Sequence, residues 1–386
     1  MKNNLLIKNF ITKKFYNIKK NKRNIKINLK LLESTFKNLH KDKNIFHLFY
    51  KKYELDFTLK SFKKFEKFKS IIVIGMGGSI LGIKALHSFL ELKVKKEVIF
   101  LDNLDSYRLK KLSRIIDQKK SLFIIISKSG NTLETLTNKN FFKNKISRNN
   151  SIIITEKGNS KLNKFSKNKK ILHVQHKKYI GGRYSVLSEV GMLPAYLMGL
   201  KIKKIRENLS KYFKNNDKKL LCESSSIMSQ NYLSKKINSI IFFNYCSHLN
   251  NFVYWCQQLM AESLGKNGKG ILPVLSEAPK DHHSLLQLYL DGPKDKFFYI
   301  ISAKDRFNKK VDKIVKAQKN ALIKVLKKKR IPFRIIHINN FSESTIGELF
   351  SYFILETILI ANLIKVNAFN QPAVEEVKNL TKKNLR

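Results

Sequence analysis

Acidic residues are scarce in this chain. Only 28 Asp and Glu stand against 77 Lys and Arg over 386 residues, a formal net charge of +49. A stripe of such charge would point to nucleic acid or to an anionic membrane surface. Here Lys and Asn are abundant everywhere, and zinc-finger spacing, a basic region with heptads and an aromatic RNA-binding consensus are all missing. The charge therefore reads as compositional drift, with no specific nucleic-acid partner. Cysteine is scarce too: Cys222, Cys246 and Cys256 lie far apart with no CxxC pair. That argues against a disulfide framework and a structural zinc site, and it suits a reducing compartment. No apolar run reaches the roughly 18 residues of a membrane span. The nearest, residues 350–364, is interrupted by Glu356 and Asn362, so no transmembrane helix is expected. No secretory apolar region is visible. The opening MKNNLLIKNFITKKFYNIKK is basic and acid-free like some transit peptides, but the remainder is almost as basic. A cytoplasmic protein is expected.

What is present is ample core material: 43% hydrophobic residues, with 27 Phe and 14 Tyr. Residues 1–68 read as a basic, helical N-terminal arm, with apolar residues at three- and four-residue spacing in NLKLLESTFKNLH. From residue 70 short apolar runs alternate with helical patterns. Strands are expected at 70–75, 98–103, 121–127, 150–156 and 170–175, with helices after the first three. A helical stretch over 188–236, kinked at Pro194, leads to strands at 239–245, 297–302 and 333–339. A long helix ends near 264, another spans 307–329, and the last helix-rich segment runs over 344–383. Such alternation means parallel α/β sheets with sites at the carboxyl ends of strands. Two α/β domains are expected, at 69–210 and 211–366 with the boundary near 205–220, followed by a helical C-terminal segment at 367–386.

Two loops could hold an anion. IGMGGSILG (74–82) joins a strand to a helix, and its glycines permit close backbone approach. It is neither GxGxxG nor a Walker A loop, and a glycine turn after a strand is often only a turn. SKSGNTLET (127–135) is more specific. Ser127, Ser129 and Thr132 ring a glycine at a strand end beside a helix start, where hydroxyls and free amides suit a phosphomonoester. The same groups also make an N-cap, with Glu134 in the first turn. This loop resembles the phosphosugar-binding loop of the sugar isomerase (SIS) domain superfamily, some of whose members are regulators without chemistry.

Three further segments, each unremarkable alone, carry candidate chemistry: Arg183 after a glycine pair, Glu262 before Gly265 and Lys266, and His283 beside a serine. Together with the two loops, GGRYSVLSEVG (181–191), the QxxAESLGKNGKG segment (258–270), DHHSLLQLYLDGP (281–293) and NQPAVEEVK (370–378) resemble the glucose-6-phosphate isomerase (phosphoglucose isomerase) family, in its order over about residues 70 to 378. The resemblance implies two SIS-type, flavodoxin-like αβα sandwiches with mainly parallel sheets, plus helical N- and C-terminal arms. It implies that Ser79, Ser127, Ser129 and Thr132 hold the phosphate, with backbone help from Gly78 and Lys128. Arg183 would stabilise an enediolate, Glu262 would move a proton between C2 and C1, His283 and Lys378 would assist ring opening, and Gln371 would contact substrate. In the family the histidine comes from the neighbouring subunit, so a homodimer is implied.

Elementary chemistry agrees with those roles. Aldose–ketose interconversion needs one carboxylate that takes and returns a proton, and enclosure moves a carboxylate's pKa toward neutrality. It needs an acid–base group at the ring oxygen, to which imidazole is suited, and fixed positive charge where the enediolate forms. It requires neither metal nor cofactor, and the histidines show no ligand spacing. Two departures from the family pattern stand out. His282 replaces the usual glutamine before the histidine, and EAPK lacks the customary glycine–threonine. The register of Ser-Leu-Leu-Gln selects His283. The chain resembles the compact members rather than the long eukaryotic ones. The alternatives are an enzyme that also accepts mannose 6-phosphate, and a non-catalytic SIS-type regulator.

Overall fold

The computed structural model describes residues 4–41, 43–304 and 308–385. Among them the strands, in chain order, are β1 (Leu5–Phe10), β2 (Ser70–Ile74), β3 (Glu97–Leu101), β4 (Ser121–Ile126), β5 (Ser151–Thr155), β6 (Leu172–Gln175), β7 (Ser239–Asn244), β8 (Leu272–Glu277), β9 (Lys296–Ala303) and β10 (Phe333–Ile338). They form two five-stranded sheets, β3-β2-β4-β5-β6 and β1-β10-β9-β7-β8. Every pairing is parallel except that of β1 with β10. Parallel sheets need cover on both faces, which is why the central strands are unbroken apolar runs. All six residues of β4 and all five of β5 are buried.

The two sheets repeat one plan. In the first, β2 sits between β3 and β4; in the second, β7 sits between β8 and β9, with β10 beyond. Only the last position differs, where β6 runs parallel and β1 antiparallel.

Two strands escape the sequence reading. LLIKNF, assigned above to the helical arm, is β1: Leu5 and Ile7 are buried while Leu6 and Lys8 face out, the two-residue period of a half-buried edge. The segment 272–277 contains Pro273, which argues against a central strand. β8 lies at the sheet edge, where a missing N–H is tolerated. Among its other described residues the arm holds helix Ile18–Asn38, which packs on helix Asn215–Ser234, and short helical turns. Its Asn28 and Asn24 amides donate to the buried hydroxyls of Ser225 (2.9 Å) and Ser229 (3.3 Å).

The helical stretch expected over 188–236 is several pieces: a 3-10 turn Gly182–Leu187, then helices Glu189–Leu197, Ile202–Arg206 and Asn215–Ser234. Pro194 lies inside the second piece, and the break follows at Gly199, whose φ of +90° suits glycine. Of the helix expected at 307–329, residue 307 lies outside the described residues; the helix is Lys309–Lys328.

Helix Glu343–Ile364 is long and apolar enough to cross a membrane, yet 89% of its apolar window is buried inside the protein. Its acids are paired there. Glu356 meets Arg334 at 2.5 Å and the Tyr352 hydroxyl at 3.1 Å, and Glu348 meets Lys211 at 2.6 Å. Buried charges demand such partners. The geometry is that of a core helix.

Candidate active site

At the carboxyl end of β2 the chain turns sharply through Gly75–Ser79, and Gly77 has φ +51°. A Cβ on Gly78 would stand 2.2 Å from the Gly182 carbonyl carbon, and one on Gly77 would stand 2.7 Å from the Gln258 amide nitrogen. The glycines are therefore where three segments meet: the turn itself, the 181–185 turn and helix Asn250–Leu264. Ser185 Oγ donates to the Gly78 carbonyl at 3.3 Å and to that of Gly182 at 2.7 Å, fastening the two turns. Ser79 is buried at this junction.

At the end of β4 the hydroxyl loop is folded on itself. Ser127 Oγ and Thr132 Oγ1 are 2.9 Å apart, the Gly130 N–H donates to Ser127 Oγ (3.1 Å), and the Asn131 N–H donates to Ser129 Oγ (3.2 Å). Gly130 has φ +67°, and a Cβ there would strike Ser160 Oγ. Thr132 precedes helix Leu133–Phe141 without capping it through its side chain. The Lys128 ammonium turns away, donating to the Lys178 carbonyl (3.0 Å) and facing Glu156 at 3.6 Å. That leaves Lys128 only its backbone to offer the loop.

Arg183 lies at the centre. It is 3% exposed and donates to five acceptors. Nε reaches Ser263 Oγ at 2.7 Å; Nη1 reaches Glu262 Oε2 at 3.1 Å and Gln371 Oε1 at 2.9 Å; Nη2 reaches the carbonyls of Ala368 and, at 3.1 Å, Asn370. These use all the donors a guanidinium has. Its backbone carbonyl accepts from the Trp255 indole at 3.1 Å. Glu262, near the end of helix Asn250–Leu264, takes a second hydrogen bond on Oε1 from Gln258 one turn earlier, at 2.9 Å. Its side chain keeps 26% exposure, so the carboxylate is gripped on one side and open on the other.

Sequence reading missed three supports of this centre: Gln258, Ser263 and Lys266. Lys266 Nζ donates to the carbonyls of Ser263 (3.1 Å) and Asn367 (2.6 Å), tying the C-terminal segment to the Glu262 helix. Burial pushes its pKa down to about 8; the Arg183 charge adds to that, and Glu262 opposes it. The i−4 spacing of Gln258 from Glu262 was visible in sequence, but the packing that gives it meaning was not.

His283 and Lys378 are not brought to this centre within the chain. His283 is exposed and makes no side-chain hydrogen bond or ion pair among the described residues. Its neighbour His282 is turned inward, Nε2 2.7 Å from the Tyr245 hydroxyl and the ring against Phe243. Asp281 fixes the loop, accepting from Ser276 Oγ (2.8 Å), the Glu277 N–H (2.8 Å) and Ser284 Oγ (2.9 Å). Burial alone would raise the Asp281 pKa, but these hydrogen bonds hold it below the usual carboxylate range. Lys378 sits on the exposed helix Pro372–Asn384 and pairs with Glu375 at 2.7 Å. Among the described residues no three His, Cys, Asp or Glu side chains gather as metal ligands.

Residues 55–273 match the family described as phosphoglucose isomerase. A relative from Methanocaldococcus jannaschii named glucose-6-phosphate isomerase is 33% identical over 355 residues, covering 84% of this chain and 86% of the relative. The chain belongs to the phosphoglucose isomerase family. A crystal structure of a hypothetical protein from Thermus thermophilus superposes with a TM-score of 0.82 at 23% identity, covering 98% of this chain and all of that one. That of a glucose-6-phosphate isomerase from Chlamydia trachomatis gives 0.68 at 20% identity, covering 94% of this chain and 74% of the other. At those identities the superpositions speak to fold. The architecture they share with this chain is a mixed α/β fold with two mainly parallel sheets. Of the stretches gathered in the sequence reading, the glycine turn, residues 181–191, residues 258–270 and the start of 370–378 meet around Arg183. His283 and Lys378 do not join them.

Proposed function

We propose that the chain interconverts glucose 6-phosphate and fructose 6-phosphate reversibly, by ring opening and proton transfer through a cis-enediol(ate). The observation that carries this is the Arg183–Glu262 pair: one buried guanidinium, 3.1 Å from one half-open carboxylate, beside the glycine turn of Gly78 and Ser79. Membership of the phosphoglucose isomerase family supports the reading. A regulator without chemistry would need neither a positioned base nor its counter-charge.

In this reading the C6 phosphate lies on the 127–132 loop. Ser127, Ser129 and Thr132 exchange their internal hydrogen bonds for phosphate oxygens, helped by Ser79 and by the backbone of Gly78 and Lys128. Glu262 Oε1 and Oε2 are oriented by Gln258 and Arg183, so the carboxylate presents its open side to the C1–C2 edge and shuttles the proton. Arg183, with its donors already engaged, acts by charge and by holding Glu262 and Gln371 in place; Gln371, held through Oε1, turns its amide nitrogen to substrate oxygen. His283 is the acid–base group for ring opening and enters from the partner of a homodimer, assisted by Lys378. The reaction belongs to glycolysis and gluconeogenesis, and the buried thiols of Cys222 and Cys256 fit a cytoplasmic setting.

A coupled assay for glucose 6-phosphate formed from fructose 6-phosphate tests the assignment on wild type and Glu262→Gln. The variant should lose about three decades or more in turnover while still binding the sugar phosphate. Normal turnover in the variant would remove Glu262 from the chemistry, and an inactive wild type would remove the isomerase reading.

A further inference from the structure

The second sheet carries a counterpart of the first sheet's phosphate site. Strand register defines the correspondence. Ile74, the last residue of β2, pairs with Ile125 of β4, and Asn244, the last of β7, pairs with Ile301 of β9. On that register Tyr245–His248 stand where Gly75–Gly78 stand, and Ala303–Lys304 stand where Ser127–Lys128 stand. Both positions are the point at which strand order reverses, where open α/β sheets bind ligands.

A cavity of about 630 Å³ lies at this second position. That volume is in the range of small-molecule sites. Its floor is Ser302, which is 4% exposed, with Oγ 3.0 Å from His337 Nδ1 and accepting from Lys319 Nζ at 3.3 Å. Lys8 of β1, Lys304 just after β9 and Lys316 of helix Lys309–Lys328 add three more lysines to its lining. Asp312 also lines it, its carboxylate accepting from the Asn308 N–H at 3.2 Å. One wall is apolar, built from Phe10, Ile323 and Ile335.

The two positions solve the same problem differently. The first has glycines and hydroxyls, so backbone amides can close on an anion. The second has no glycine over Tyr245–His248, with Tyr245 and His248 where Gly75 and Gly78 stand in the first, and leaves recognition to long cationic side chains. We infer that this cavity is a second site, separate from Arg183 and Glu262, for a small organic phosphate bearing an apolar ring: the phosphate among Lys304, Lys316 and Lys319, the ring on the apolar wall.

Adenosine 5′-monophosphate is a suitable probe, titrated calorimetrically into the intact protein saturated with sorbitol 6-phosphate, a hexitol phosphate with no carbonyl to isomerise. Saturable binding with one site per chain should persist. It should weaken about tenfold or more in Lys316→Gln/Lys319→Gln, the loss expected for charge-assisted contacts. It should hardly change in Lys313→Gln/Lys324→Gln, which removes the same charge from the same helix away from the cavity. Equal weakening in both double variants would reduce the effect to the general field of a basic protein and overturn the site. Displacement by sorbitol 6-phosphate, or no saturable binding, would overturn it too.

Discussion

At Arg183 a guanidinium 3% exposed is engaged by five acceptors, whereas the imidazole of His283 and the amine of Lys378 stand in solvent. The first region is complete within one chain. It draws on residues 182–185, 258–266 and 367–371, and glycines let its backbones touch. In the second, Asp281 holds the loop of His283, and Lys378 meets only Glu375 of its own exposed helix among the described residues. The difference teaches that folding of one chain is enough to pair Arg183 with Glu262, the proposed base, while His283, the proposed ring-opening group, would need the proposed second copy to meet them.

The two regions should break in different ways. Arg183→Met should do the most damage. It leaves the Asn370 carbonyl without its donor, and the Ser263 hydroxyl and Ala368 carbonyl with Tyr184 Oη alone, costing roughly 2 kcal/mol of stability. It should also lower turnover by more than about a hundredfold, through lost charge at the enediolate. Denaturant unfolding and the isomerase assay would show both losses together. His283→Gln should separate them, with turnover about a hundredfold lower. Its stability should stay within about 0.5 kcal/mol of wild type, as expected for an exposed side chain. His282→Gln should show the reverse, losing about 1 kcal/mol with the Tyr245 hydrogen bond and little turnover.

The smallest expected effect is at Lys266. Its folded pKa, about 8, lies below the ordinary lysine value, so the ammonium form is the one disfavoured by the fold. Between pH 8 and the unfolded pKa, the unfolded chain holds the proton and the folded chain does not. Stability from this group therefore rises with pH across that window and is absent below it. Thermal unfolding of wild type against Lys266→Arg, which stays charged, should show wild type gaining ground from pH 8 to 10. A constant difference would contradict the pKa assignment.

Much of this architecture was legible in the sequence because parallel strands must be apolar on both faces. SIIVI, SLFIII and SIIFFN announce themselves, and each is followed by a turn. β1 was hidden in a basic arm whose short alternating segment gains meaning only from pairing with residues 333–338. β8 was hidden by a proline that its edge position makes harmless. Within the candidate site, Arg183, Glu262 and the loop residues were legible through their motifs. The hydrogen bonds from Gln258 and to Ser263, and the Lys266 bridge, arise from tertiary packing and have no local signature. The exposure of His283 was foreseeable only as an implication of the family resemblance.

The proposed division of the site between two chains is tested most directly by mixing two variants, each expected to be inactive. Glu262→Gln and His283→Gln chains, differently tagged, would be co-expressed and the mixed species purified beside each parent. If His283 serves the partner's Glu262, a mixed dimer holds one intact site of two. The purified mixed dimer should then recover about half of wild-type activity, by the symmetry of a two-fold dimer. If activity stays at the level of the parents in a verified mixed dimer, His283 acts within its own chain or not at all, and the account fails at its centre.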